Sequence, residues 1–361
     1  MKKALVTGCN GLIGSSAVSF LIEKGFDAVG IDNDMRSFFF GQEASTNDVG
    51  NFLLNKYDEN FRLISTDIRD YDKLKNIFLN NFFDLIIHTA AQPSHDWPAK
   101  NDPLIDFSVN ATGTLNLLEL TRKHSPNAVF IFTSTNKVYG DRPNFLPLRE
   151  RRLRFDLFDN DNTSFPNKGV NESMSIDNCM HSVFGASKVA ADIMCQEYGK
   201  YFGIKTGIFR GGCLTGPNHA GTEMHGFLSY LVKCIIHNKS YTIYGYGGKQ
   251  VRDNIHSKDL LNMFWEFYLN PKPGEVYNVG GGRGNDLSIL ESISMINLIA
   301  GTNWNNYTIS DDNRIGDHKW YVTDYSKFKN DYPNWEIKFP IEDILTEMIV
   351  KEKKLLKVET I

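Results

Sequence analysis

The segment Thr7-Gly8-Cys9-Asn10-Gly11-Leu12-Ile13-Gly14 has the composition of a dinucleotide-binding turn. It follows a short apolar run, Ala4 to Val6, and opens a helical pattern. Gly8, Gly11 and Gly14 then permit a tight turn and let the backbone approach a pyrophosphate. Leu12 and Ile13 fall in the first helical turn, where free N–H groups and the positive end of the helix dipole favour an anion. The G-x-x-G-x-x-G spacing is one residue longer than the generic fingerprint, so its strand–turn–helix setting carries the argument. Asp32 ends the second apolar run, beside Asn33, where a carboxylate hydrogen-bonds the adenosine ribose diol and repels a 2′-phosphate. NAD(H) is therefore expected over NADP(H), with Arg36 the residue that would suit the phosphate. Asp67 and Ile68, after the third run, are expected to frame the adenine. Ala90, Ala91 and Gln92 end the fourth, where small side chains let a cofactor lie against the backbone.

Such residues must sit at the ends of strands, and the chain supplies them. Its first half alternates short apolar runs with amphipathic stretches, the pattern of β-α-β units and a parallel sheet. Ala4 to Val6, Ala28 to Ile31, Leu63 to Ile64, Leu85 to Ile87, Val129 to Phe132 and Thr206 to Phe209 read as strands. Asp102 to His124 reads as a helix with Leu115, Leu118 and Leu120 on its apolar side. Met35 to Asn60 reads as a polar loop with a short helix. Asp141 to Cys179, with Arg149, Arg151, Arg152 and Arg154, is either a solvated insertion or an arm over the substrate or a subunit contact. Beyond Arg210 a helix is expected near Phe227 to His237 and a strand at Tyr241 to Tyr244. The fold class is α/β: a Rossmann-type doubly wound parallel sheet over 1–210, interrupted by the insertion at about 141–179. A smaller, mostly C-terminal substrate-binding domain follows over 211–361, with segments returning to the first.

The 361 residues carry a formal net charge of −4, which points to neither a nucleic-acid nor a membrane-surface partner. Five cysteines are scattered without a C-x-x-C pair or metal-ligand spacing, so a reducing compartment is expected and no metal site. There is no run of roughly 18 apolar residues and no signal-peptide core at the N-terminus, so the expected location is cytoplasmic.

Several ordered motifs together resemble the extended short-chain dehydrogenase/reductase family, in its NAD-dependent sugar-nucleotide epimerase and dehydratase group. They are the glycine turn, His88-Thr89-Ala90-Ala91, Val109-Asn110-Ala111-Thr112-Gly113-Thr114, Val138-Tyr139-Gly140, Gly185-Ala186-Ser187-Lys188, Arg252-Asp253-Asn254-Ile255-His256 and Tyr277-Asn278-Val279-Gly280-Gly281-Gly282. A narrower resemblance, to the CDP-paratose (CDP-tyvelose) 2-epimerases, lies in Thr133-Ser134-Thr135-Asn136-Lys137-Val138-Tyr139-Gly140, Asn171-Glu172-Ser173, His181-Ser182 and Ala190-Ala191-Asp192. It implies inversion at C2 of a CDP-linked hexose through a transient 2-keto sugar, with NAD acting catalytically. It also implies a homodimer or homotetramer, paired through the helices around 102–124 and 182–201. Dehydratases of the superfamily place an Asp-Glu pair directly after the catalytic Thr. Here Asn136-Lys137 stands in its place, which disfavours elimination of water.

The same resemblance implies that Thr135 hydrogen-bonds the reacting hydroxyl. It gives Lys188 the cofactor's nicotinamide ribose and the task of lowering the pKa of a Tyr four residues earlier. That position is Phe184, which has no proton to give. The base is therefore open between His181, since an imidazole titrates near about 6.5, and a desolvated Lys188. Cys179, His95, His219 and His225 are weaker alternatives. Asn110 is implied at the cofactor. Gln92, Ser94, His95, Asn136, Lys137 and His181 are implied around the sugar. Gly211, Asn218, His219, His225, Tyr244 and Arg252 are implied at the sugar or nucleotide, Arg252 forking onto the diphosphate. Besides an epimerase, a net dehydrogenase or reductase and a silent NAD- and nucleotide-sugar-binding protein remain open.

Overall fold

A computed structural model describes residues 1–94, 101–158, 169–219, 221–222, 226–312 and 316–359. Contacts divide the chain into two compact units. One comprises Met1–Val138, Ser182–Gly211 and Leu260–Tyr277; the other comprises Tyr139–His181, Gly212–Asp259 and Asn278–Ile361. The insertion expected at about 141–179 thus clusters with the second unit, and residues 260–277 rejoin the first.

In the first unit the apolar runs become β1 (Lys2–Thr7), β2 (Phe26–Asp32), β3 (Phe61–Ser65), β4 (Leu85–His88), β5 (Val129–Thr135), β6 (Lys205–Gly211) and β7 (Glu275–Val279). Their order in one sheet is β7-β6-β5-β4-β1-β2-β3, and the ladders from β6 to β3 are parallel. Helices cover the faces, so strand residues are buried on both sides; Leu5, Ile86, Phe130 and Ile208 are fully enclosed. The strand order reverses at β1, flanked by β2 and β4. In such sheets ligands bind outside the carboxyl ends at that reversal.

The helices are α1 (Leu12–Glu23), α2 (Met35–Phe40), α3 (Asn47–Tyr57), α4 (Tyr71–Leu79), α5 (Pro103–Phe107), α6 (Gly113–His124) and α7 (Ser182–Lys200). The expected helix over 102–124 is thus broken. Asp102 caps α5 by accepting the Leu104 and Ile105 N–H groups, and a π-helical turn, Ser108–Thr112, separates α5 from α6. Such a turn carries more residues than an α-turn and rotates the helix beyond it. Leu118 and Leu120 are buried as expected, but Leu115 is 37 % exposed. The excursion over 35–60 holds two helices, α2 and α3, rather than one.

In the second unit Val251–His256 pairs in parallel with Cys213–Thr215 and Trp320–Tyr321, and antiparallel with Asp286–Ser288. Leu231, Val232, Ile243, Ile296, Ile344 and Leu345 form its core. The arginine-rich insertion contains an antiparallel hairpin, Leu148–Glu150 with Phe155–Leu157. Ion pairs pin the hairpin to its own unit: Glu150 with Lys249, Asp156 with Arg283, and Arg154 with Asp286 and Glu291. Arg154 is structural, and Arg149 lies over the Phe158 ring.

Candidate active site

The glycine turn forms at the carboxyl end of β1 as its spacing predicts. Gly8 has φ +67°, and a Cβ there would come within 2.8 Å of the Ala90 nitrogen, so β1 and β4 meet through bare backbone. A Cβ on Gly14 would run into the Gly8 carbonyl and the Cys9 Cα. Gly11 precedes α1 and supplies no side-chain cap, so no cap side chain meets the N–H groups of the first turn. Asp32 accepts the Asn10 N–H at 3.0 Å and the Asp34 N–H at 2.9 Å. Burial lifts its carboxyl above the ordinary range while those N–H groups oppose the shift. A carboxylate offers about four acceptor directions, so two such bonds leave capacity for a diol. The Asn10 side chain points elsewhere: it lies against Gly50 of α3, where a Cβ would stand 2.7 Å from its Oδ1.

Asp67 is held by Arg69 through three bonds, from its backbone N–H at 2.8 Å and its guanidinium at 3.0 and 2.7 Å, and by Asn33 Nδ2 at 3.1 Å. Burial pushes that carboxyl up, but Arg69 prevails and leaves it below its usual range. Ile68 packs where a Cβ on Gly113 would fall. Arg36 lies over the Phe40 ring, and desolvation lowers its guanidinium's pKa.

At the carboxyl ends of β4 and β5 lies a buried polar cluster. Asn110, in the π-turn, accepts the Gln92 N–H at 2.9 Å and donates to the Gln92 carbonyl and, at 3.0 Å, to Ser187 Oγ. Ser94 donates its N–H to Gln92 Oε1. His88 beneath is held neutral: burial and the Lys188 charge drop it to about 3, and its ring bridges Thr7 and Thr114. Lys188 Nζ donates to the Thr133 carbonyl at 2.9 Å and lies 4.3 Å above the Phe132 ring centroid. Burial lowers its pKa to about 8, although Cys195, Asp192 and Asp106 pull the other way. Thr135 ends β5 opposite Gly211 of β6; its Oγ1 contacts Asn136 Oδ1 and accepts the Lys137 N–H at 3.2 Å. Asn136 and Lys137 are buried.

Phe184 is buried on the first turn of α7. His181 does not share its helical face: Ser182 takes φ +61° and its Oγ caps the Gly185 N–H, so the helix begins after His181. Within the second unit His181 Nε2 lies 2.7 Å from the Ile176 carbonyl and 3.4 Å from Cys179 Sγ. A carbonyl only accepts, so Nε2 carries the proton and Nδ1 is the basic nitrogen. Arg252 is paired with Asp317 at 2.6 Å and bonds its neighbour's carbonyl. His219 packs its ring where a Cβ on Gly226 would fall, Asn218 is exposed, and the Tyr244 carbonyl accepts from Gln250. His95 and His225 lie outside the described residues.

A family model described as the NAD dependent epimerase/dehydratase family matches residues 4–280. The chain belongs to that family. CDP-paratose 2-epimerase of Salmonella typhi is 30% identical over 96% of this chain and 98% of its own. dTDP-glucose 4,6-dehydratase of Escherichia coli is 27% identical over 91% of this chain and 88% of its own. Among solved structures, UDP-glucuronic acid 4-epimerase from Bacillus cereus, in complex with UDP-glucuronic acid and NAD, superposes with a TM-score of 0.77. It is 26% identical and covers 98% of this chain and 99% of its own. The family, and with it the Rossmann-type α/β fold, is as the motifs implied.

NAD is the cofactor of the family, and the first unit fits it. The turn is closed through bare backbone at Gly8 and Gly14, where a Cβ would collide with Ala90 and with Gly8 itself, and it presents the start of α1 at the carboxyl end of β1. Thr66 Oγ1, Gln92 Nε2 and Thr133 Oγ1, near the carboxyl ends of β3, β4 and β5, are buried without a hydrogen-bond partner among the described residues. Buried polar atoms normally have partners, so such atoms at strand ends mark where a polar ligand belongs. Two buried carboxylates were given no role at the site by the sequence, although Asp192 stands in one of the quoted motifs. Asp106 is raised to about 6 by burial, against Ser187 and Lys188. Asp192 binds Arg210 through two bonds. Asp192 had a signal, since it lies one turn beyond Lys188 on the same helical face; Asp106 had none.

Proposed function

We propose that the protein is an NAD-dependent nucleotide-sugar 2-epimerase acting on a CDP-linked hexose. The observation that carries this reading is the pair Asn136-Lys137 at the end of β5, directly after Thr135. Neither side chain supplies the carboxylic acid and carboxylate that elimination requires, and both are buried. The similarity to CDP-paratose 2-epimerase along nearly the whole of both chains supports the choice of sugar position and nucleotide.

The glycine turn, Asp32, Asn33, Asp67, Ile68, Ala90, Ala91, Gln92 and Asn110 would hold NAD. Bound NAD supplies a hydride acceptor that can return the hydride. Thr135 orients the reacting hydroxyl through Oγ1. Lys188, not Phe184, moves the proton: its Nζ is buried, leans on the Thr133 carbonyl two residues before Thr135, and has its pKa brought close to neutrality. His181, Arg252, Tyr244, Asn218 and His219 read the sugar and nucleotide, His181 with its ring tethered to its own loop rather than serving as the base.

Proton NMR of the purified protein with CDP-glucose or CDP-paratose and no added cofactor tests the reading. A new anomeric signal with the coupling of a C2-inverted sugar is the expected result. Stoichiometric NADH formation would replace the epimerase with a net dehydrogenase, and unchanged spectra with both substrates would reject the CDP-hexose assignment.

Leu104 is 79 % exposed on α5, with Phe107, Leu115 and Ile193 also exposed on α5, α6 and α7. Exposed apolar side chains on these helices suit a second copy of the chain, and we propose a homodimer through them. Sedimentation velocity at micromolar concentration should show a dimer that Leu104→Arg dissociates; a wild-type monomer would remove the proposal.

A further inference from the structure

We infer that Asp34 is a positioning residue that clasps the excursion over 35–60 against the dinucleotide turn and so keeps the cofactor from leaving. The inference rests on the reading of that turn as the NAD site.

Asp34 sits in the left-handed region at φ +52°, a conformation non-glycine residues seldom adopt and which Asp and Asn tolerate best. Its carboxylate reaches across the excursion to the start of α3. Oδ1 accepts the Thr46 N–H at 2.9 Å; Oδ2 accepts Ser45 Oγ at 2.7 Å and Asn47 Nδ2 at 3.0 Å. One side chain thereby closes the loop between α2 and α3. Its own N–H donates to Asp32 Oδ1 at 2.9 Å, while Asp32 Oδ2 accepts from Asn10 in the glycine turn. The far side of the excursion returns to that turn through Gly50, whose missing side chain leaves the space that the Asn10 amide occupies.

The excursion therefore touches the pyrophosphate turn twice, once through the ribose-binding carboxylate and once through Asn10. The first contact is made by the Asp34 backbone N–H itself, and the second depends on the Asp34 carboxylate holding the start of α3 in place. An epimerase returns its cofactor to the starting oxidation state after each turnover, so it has no need to exchange it. A clasp of this kind suits that chemistry, and a dehydrogenase would be slowed by it.

The test is the release rate of radiolabelled NAD, preloaded on the full-length protein and chased with unlabelled NAD, for the wild type and three variants. D34G keeps the backbone conformation and removes the clasp; release at least about tenfold faster is expected. D34N retains the Thr46 bond and should fall between. G50A adds helix propensity but pushes on Asn10, so faster release is expected without a lower melting temperature of the cofactor-free protein. A merely structural Asp34 would lower that melting temperature and leave release unchanged. Wild-type release rates in both D34G and G50A would overturn the clasp alone. A wild type that takes up no NAD would overturn the site reading and the clasp together.

Discussion

Lys188→Met should lower kcat/KM by about 10²–10⁴-fold, the range associated with losing a positioned general base, without unfolding the protein. The side chain is buried beside an aromatic ring and donates to a single carbonyl, so a thioether of similar length fills its space. The activity of the wild type should rise through pH of about 8 as the ammonium loses its proton, and that limb should be missing from the variant. Lys188→Met should at the same time be more stable than the wild type near neutral pH. The native pKa is about 8 against 10.5 for the unfolded chain. Below about 8 both states are protonated and the native state bears the full desolvation penalty, roughly 3 kcal/mol at most. Between about 8 and 10.5 only the unfolded chain holds the proton, so wild-type stability climbs with pH and the advantage of the variant shrinks. Thermal melts at pH 7 and pH 10 check this; a wild type that outlasts Lys188→Met at pH 7 contradicts it.

Phe184→Tyr sharpens the same point. It adds a phenol one helical turn before Lys188, where a neighbouring ammonium favours the phenolate. The rising limb should then shift below about 8, as the phenol takes over proton transfer. A profile identical to wild type would mean that the proton leaves by a route involving neither residue.

The parts of the molecule that were legible are those ruled by local pattern. Strands buried on both faces read as unbroken apolar runs, and Tyr241 to Tyr244 matched the strand to the residue. The glycine turn was legible because bare backbone approach excludes every other residue type. What failed to show was set by backbone states or by distance. Nothing in the composition of Ser108 to Thr112 announces a π-turn, and Leu115 lies at the exposed edge of the face that buries Leu118 and Leu120. Asp34 reads as one more loop acid until its φ is known. Arg154 looks like a ligand-binding guanidinium, but its carboxylate partner lies 132 residues away, and the Asp317 that orients Arg252 lies 65 away, both beyond any local signal. His181 illustrates the limit at an element boundary: one residue decided whether it shared a helical face with Phe184, and the cap at Ser182 excluded it.

Asp192→Ala should be the most destabilising single change near the site, by about 3–5 kcal/mol. Its carboxylate is 1 % exposed and accepts two bonds from Arg210, at 3.0 and 2.8 Å, with further bonds from Ser134 Oγ and Gln196. Truncation leaves the Arg210 charge buried with its principal counter-ion gone, which is worse than never having built the pair. Asp192→Leu combined with Arg210→Met should therefore recover much of the loss, and chemical denaturation of the two single variants and the double closes the cycle. The same carboxylate ties α7 to β6 and, through Ser134, to the strand end that carries Thr135. It is also one of the charges that hold the Lys188 pKa up. In whatever fraction of Asp192→Asn folds, the rising limb of activity should thus move to lower pH, and Thr135 should be less well placed. A limb that stays at wild-type pH in folded Asp192→Asn would show that Lys188 does not set it, and the proton-transfer assignment would fall with it.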